Sequence, residues 1–156
     1  MTTTTTANQQ SKVITHLLNG TNTTMKSIIP VAQNVSKPQL LTEPPIVEYG
    51  VLIGITGDIK GKIMLSGDPA VFSGIGGVMF GMAVEGEMLV SFSGELGNML
   101  AGGIATIIVN EGLTTDITAP TVLQGSTKIS GYKKAIQLTA GFENLGELDV
   151  MFLLDS

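Results

Sequence analysis

The stretch that decides the reading of this chain is Val90–Ile108, "VSFSGELGNMLAGGIATII". It is apolar enough for a buried helix, yet Ser91, Glu95 and Asn98 are set into it at steps of four and three. Residues three and four apart share one face of an α-helix, so these polar side chains form a single line. The line continues to Gly102 and then Ala105, which makes the face polar at its upper end and nearly bare below. Leu89, Phe92, Leu96, Met99, Leu100, Ile104, Ile107 and Ile108 gather on the other side as a core stripe. One long helix, about Glu87 to Asn110, is expected. Gly94, Gly97, Gly102 and Gly103 each cost it about 1 kcal/mol relative to alanine. Small residues repeated at that cost point to a second backbone or a bulky partner lying close.

Upstream, "SGDPAVFSGIGGVMFGM" opens with Asp68, a good N-cap, and Pro69 at the first helical position, predicting a helix to about Met82. Before it, "IVEYGVLIGITG" and "DIKGKIMLSG" read as strands joined at a Gly57-Asp58 turn. Pro38, Pro44 and Pro45 punctuate the way in. Ser11–Ile29 carries Val13, Ile14, Leu17, Leu18, Met25 and Ile28 near helical spacing, with Gly20 and a Thr/Asn cluster against it. "MTTTTTANQQ", residues 1–10, reads as a disordered polar tail. Downstream of the long helix, residues 114–155 alternate between glycine turns and read as three or four strands.

Two halves resemble each other. "LTEPPIVEYG" is echoed by "ITAPTVLQGS", and the hairpin at Gly57 is matched by one near Gly141. Each set of strands follows a helix. The expected fold class is α+β: one domain over 11–156, with pseudo-duplicated halves about 11–66 and 87–156 and a linking helix about 68–82. Its helices would pack on one face of a six-stranded, mostly antiparallel sheet.

Composition removes several function classes. The 156 residues contain no cysteine and one histidine, His16, so thiolate sites and histidine-based metal clusters or triads are out of reach. Only 13% of residues are charged, against roughly a quarter in ordinary domains. The net charge of −5 and pI near 4.7 argue against nucleic acid. Aromatic residues make up 4%, too few for a stacking platform. A mean hydropathy of +0.37 raises the question of a membrane. The uncharged runs Pro69–Val84 and Leu96–Asn110 fall short of the roughly 18–20 apolar residues a span needs. No signal peptide is read at the start, so a soluble cytoplasmic protein is expected. "GDPAVFSGIGG" follows no Rossmann layout, His16 reads as an ordinary boundary residue, and Lys133-Lys134 as a solvated pair. The eight methionines read as core filling, although Met79, Met82, Met88 and Met99 would also soften a partner surface.

The pattern Ser91-x3-Glu95-x2-Asn98, with 21 residues between Asn98 and Pro120, resembles the signature of the CheC/CheX/FliY phosphatases of bacterial chemotaxis. The resemblance covers about 40–155 in element order. It implies hydrolysis of the aspartyl phosphate on a CheY-like receiver domain, a homodimer, and no cofactor of the chain's own, with Mg2+ held by the receiver. Stepping back by the same interval from Pro44 reaches Asn22, and the first half reads Thr15-x3-Asn19-x2-Asn22, the same frame without the acid. One complete site in the second half is more similar to CheX than to CheC, which carries two.

These residue types suit such chemistry. An acyl phosphate hydrolyses downhill and needs mainly a well-placed water. Phosphoryl oxygens would repel a carboxylate base, whereas the neutral carboxamide of Asn98 can hold water in line with phosphorus, as a glutamine does in small GTPases. Glu95, one turn away, would reach a lysine of the receiver and fix register. Ser91 and Gly102 would lie against the same partner. Ser91 itself reads as helix-start chemistry, not a nucleophile, because no base stands near it. The same three residues also fit a plain solvated stripe. A non-catalytic interaction or scaffold module of the same fold, and a small-molecule-binding domain, remain as rival functions.

Overall fold

The computed structural model describes residues 7–155. Its elements run α1 (Ala7–Ile28), β1 (Gln33–Val35), β2 (Gln39–Leu40), β3 (Ile46–Gly57), β4 (Gly61–Gly67), α2 (Pro69–Phe80), α3 (Glu87–Asn110), β5 (Thr115–Ile117), β6 (Thr121–Lys128), β7 (Lys134–Phe142) and β8 (Gly146–Leu154). The fold is α+β, with helices on an antiparallel sheet.

The sheet has eight strands in the order β1-β7-β8-β4-β3-β5, with β2 also paired to β7 and β6 also paired to β3. Eight replace the expected six because β1 and β2 are only three and two residues long, too short to show a period. The layout is symmetric. β4 and β8 meet at the centre, Met64 opposite Met151. β1 and β2 of the first half pair with β7 of the second, while β5 and β6 of the second pair with β3 of the first. Each hairpin is thus completed by strands of the other half, an exchange no local pattern announces.

Alternation sorts the strands' two faces. Tyr49, Val51, Ile53, Ile63, Leu65, Val150 and Phe152 face the core shared with the helices. Val47, Met64, Ile129, Ala135, Met151 and Leu153 form a smaller cluster, with Leu41, Leu52, Leu123 and Tyr132 packed against it.

The first hairpin turns where expected: Gly57 and Gly61 have φ of 107° and 153°, and the Asp58 carboxylate accepts from Thr114 N at 2.7 Å. The second turns at 143–145, slightly later than expected, with Asn144 and Gly146 at positive φ; Gly141 is a strand residue opposite Glu147. α2 begins as predicted, Ala70 N donating to Asp68 Oδ1 at 2.8 Å, and ends on the left-handed Gly81.

α1 departs most from expectation. It starts at Ala7, so residues 7–10, expected in the disordered tail, are helical; residues 1–6 lie outside the described residues. It runs unbroken through Gly20 and the Thr/Asn cluster, because those residues form its crossing with α3. A Cβ on Gly20 would stand 3.6 Å from the Ile104 Cα, and one on Gly103 would collide with Thr24. Buried Thr21 returns its hydroxyl to Leu17 O at 2.8 Å. Small side chains that weaken the isolated helix let the two backbones approach, and tertiary packing overrides propensity. At its end, Gln33 Nε2 donates to Met25 O at 2.8 Å and Ile29 O at 3.0 Å, a second donor for carbonyls that already accept from Ile29 N and Val31 N.

By length and composition α3 would also suit a membrane span, although Glu95 interrupts its uncharged run; half of its apolar window is buried inside the domain, as in a core helix.

Candidate functional site

α3 is held in one rotational setting by what lies beneath it. The buried Ser93 gives its hydroxyl proton to Leu89 O at 2.7 Å, so Tyr49 of β3 is the donor in the 2.8 Å Tyr49–Ser93 bond. One turn along, Gly97 rides directly on β3: a Cβ there would come 2.6 Å from Val51 Cγ1. Phe92, Leu96, Leu100, Ile104 and Ile108 are buried, while Leu89, Met99 and Ile107 of the expected stripe are half-buried. Gly94 faces the start of β6, where a Cβ would meet Val122 Cγ2 at 3.5 Å and Pro120 Cγ at 3.8 Å. Pro120, distant in sequence, therefore packs beside the residue preceding Glu95.

With that side anchored, Ser91, Glu95 and Asn98 face outward, and all three are exposed. Gly102 continues the line, and a Cβ there would meet nothing within 4 Å. Among the described residues no packing accounts for a glycine at this position, unlike Gly97. Ser91 is not helix-start chemistry: Gly86 is the N-cap, with φ of 60° and no side-chain bond, and Ser91 lies a full turn inside.

Along the sequence, the charges flanking Glu95 are of one sign. From Lys62 to Lys128 the sequence contains no Lys, Arg or His between them, but Asp68, Glu85, Glu87, Glu95, Glu111 and Asp116. Among the described residues the one ion pair within 4 Å joins His16 Nε2 to Glu111 Oε2 at 3.9 Å, across the α1–α3 contact. Glu95 therefore offers its charge outward. Among the described residues no group of three or more His, Cys, Asp and Glu side chains comes together as a metal site. An open cleft of about 400 Å³ between β1 and the β7–β8 turn, lined in part by Asn34, Phe142 and Glu143, includes neither Glu95 nor Asn98.

The half-site on α1 differs. Thr15 and Asn19 are exposed, and the Thr15 hydroxyl is turned to Ser11 O at 2.9 Å. Asn22 is half-buried, and its Oδ1 is enclosed with no hydrogen-bond partner among the described residues. Sequence reasoning placed Thr15, Asn19 and Asn22 in the frame of the α3 residues but had no signal for this burial. It also passed over Tyr49, whose link to Ser93 sets the orientation of α3.

The family model described as "Chemotaxis phosphatase CheX" matches residues 49–143, more than half of the chain. The chain belongs to this family. The match to the CheX family contains Ser91, Glu95, Asn98 and Pro120 and leaves Thr15, Asn19 and Asn22 outside. A relative named CheY-P phosphatase CheX, from Thermotoga maritima, is 29% identical over 133 residues, covering 82% of this chain and 86% of the relative. The solved structure of a chemotaxis protein CheX from Desulfovibrio desulfuricans shares the fold with a TM-score of 0.78 at 19% identity, over 92% of this chain and 99% of that one. The CheX-CheY-BeF3-Mg complex from Borrelia burgdorferi matches with a TM-score of 0.77, also at 19% identity, over 92% and 98%.

Proposed function

We propose that this chain is a phosphatase of CheY-like receivers, accelerating hydrolysis of the receiver's aspartyl phosphate. The observation that carries the reading is the outward ridge of Glu95 and Asn98 on a helix whose opposite side is fixed to the sheet, in a chain of the CheX family.

Asn98 projects its carboxamide into the receiver's active centre and accepts a hydrogen bond from water, holding it in line with phosphorus. The P–O bond to the aspartate breaks, and the products are inorganic phosphate and the free carboxylate. A neutral amide suits this place because it adds no negative charge beside the phosphoryl oxygens. Glu95 pairs with a receiver lysine, a charge-assisted contact that fixes register. Ser91 and the bare Gly102 surface lie against the receiver on either side. Mg2+ and phosphate both belong to the receiver, a division supported by the Borrelia burgdorferi complex, in which beryllium fluoride takes the place of a phosphoryl group.

The same reading places the chain in the cytoplasm, in a chemotaxis or other two-component pathway, as a homodimer. Exposed Leu40 at the β2 edge and Ile46 at the start of β3 are apolar surface a second copy would cover; sedimentation equilibrium tests this directly.

The decisive experiment follows phosphate release from a phosphorylated receiver in Mg2+. The parent protein shortens the lifetime of the phosphoaspartate, and Asn98→Ala removes that acceleration while still binding the receiver. Parental activity in the Asn98→Ala variant would show that the site lies elsewhere.

A further inference from the structure

The ridge on α3 does not begin at Ser91. Met88 stands three residues earlier on the same line and is 57% exposed. Phe92, one turn beyond Met88, is buried and meets Phe80 of α2 edge-on, with ring centroids 5.6 Å apart. Phe80 is itself 60% exposed, and Met82, just past the Gly81 cap, is 59% exposed. Apolar side chains left singly in water need no explanation, but Phe80 meets the ridge helix through Phe92, Met88 lies on the line of the ridge, and Met82 and Met88 are adaptable methionines.

The charge around it selects the occupant. Glu85 and Glu87 are exposed in the α2–α3 link and the first turn of α3, and no cation occurs anywhere in that segment. A second copy seated on this face would oppose Glu85, Glu87 and Glu95 to their own duplicates, because a twofold contact brings each patch onto itself. The face instead fits a partner with an apolar centre and a basic rim.

We propose that Phe80, Met82 and Met88 form the docking surface for the phosphorylated receiver, with receiver cations reaching Glu85 and Glu87. This inference rests on the phosphatase reading of the ridge and adds a second, non-reacting contact. Binding there adds affinity for the receiver equally before and during the reaction, while Glu95 and Asn98 carry the rate at saturation.

The test is single-turnover decay of a radiolabelled phosphoreceiver at rising concentrations of this protein. In the Met82→Gln/Met88→Gln double variant, whose side chains are exposed and do not hold the core, the half-saturating concentration rises about tenfold, as loss of a central interface contact predicts. The plateau rate stays within about twofold of the parent. An unchanged half-saturating concentration overturns the docking proposal, as does a fall confined to the plateau. A double variant that loosens self-association in sedimentation but keeps the parental half-saturating concentration assigns the patch to a second copy, and also overturns it. Asn98→Ala separates the two readings. If that variant is inactive and the methionine variant is parental, the docking surface alone is wrong; if the parent itself gives no acceleration, the phosphatase reading is wrong and this proposal goes with it.

Discussion

α1 and α3 occupy related places in the two halves, and each carries a polar line at the same spacing, yet they present different chemistry. On α3 the amide of Asn98 is open to solvent, beside an exposed acid and above a glycine with nothing in front of it. On α1 the corresponding amide, Asn22, has its oxygen enclosed with no partner among the described residues, and Asn19 stands where the acid would be. An amide that must hand water to a foreign phosphorus needs a clear approach, and a partner-anchoring group needs charge. The comparison teaches that spacing along a helix is not enough: which side the rest of the fold leaves uncovered decides whether the frame can act.

The strongest way to break this contrast is to remove each amide in turn. Asn98→Ala lowers the rate of receiver dephosphorylation by about a hundredfold or more, the scale seen when one positioned polar group is deleted. Asn22→Ala leaves that rate within about twofold. Equal losses in the two variants would show that both helices work.

The glycines of α3 sharpen the comparison next, now between its two faces. Gly97→Ala drives a Cβ toward Val51 and destabilises the fold by about 1–3 kcal/mol, visible as a lower Tm. Gly102→Ala meets open space and raises stability by about 1 kcal/mol from helix propensity alone. On the phosphatase reading, it nevertheless weakens receiver binding, because the added methyl stands where the partner approaches. A Gly102→Ala variant that is more stable and binds as well as the parent would remove Gly102 from the contact surface.

Smaller effects come from the acid. Glu95→Ala raises the half-saturating receiver concentration about tenfold, and the parent's affinity falls with added salt more steeply than the variant's. Asn19→Glu, which restores the missing acid on α1, produces no measurable gain, because Asn22 remains enclosed. A gain there would show that α1 lacks only its charge.

Much of this was legible in the chain. The bounds of α3, the Asp68-Pro69 start of α2, the Gly57-Asp58 turn and the α+β class follow from period and capping, which act over a few residues. The line of Ser91, Glu95 and Asn98 was legible for the same reason. The short strands β1 and β2 were not, because two or three residues carry no period and owe their existence to β7. The continuity of α1 through Gly20 was hidden too, since its favourable term is the contact with Gly103 and Ile104, far along the sequence. Ser91 was misread as helix-start chemistry because the true cap, Gly86, has no capping side chain to announce it.

By itself the sequence determined which side chains share a helical face, and how little charge accompanies them, because both depend only on order and composition. The tertiary structure decided which of two similar faces is open. Tyr49 bonded to Ser93 and Val51 beneath Gly97 turn α3 so that Asn98 looks outward, while Asn22 of α1 is left half-buried with its oxygen enclosed. Exposure depends on what packs opposite, and that is settled only when distant strands and helices meet.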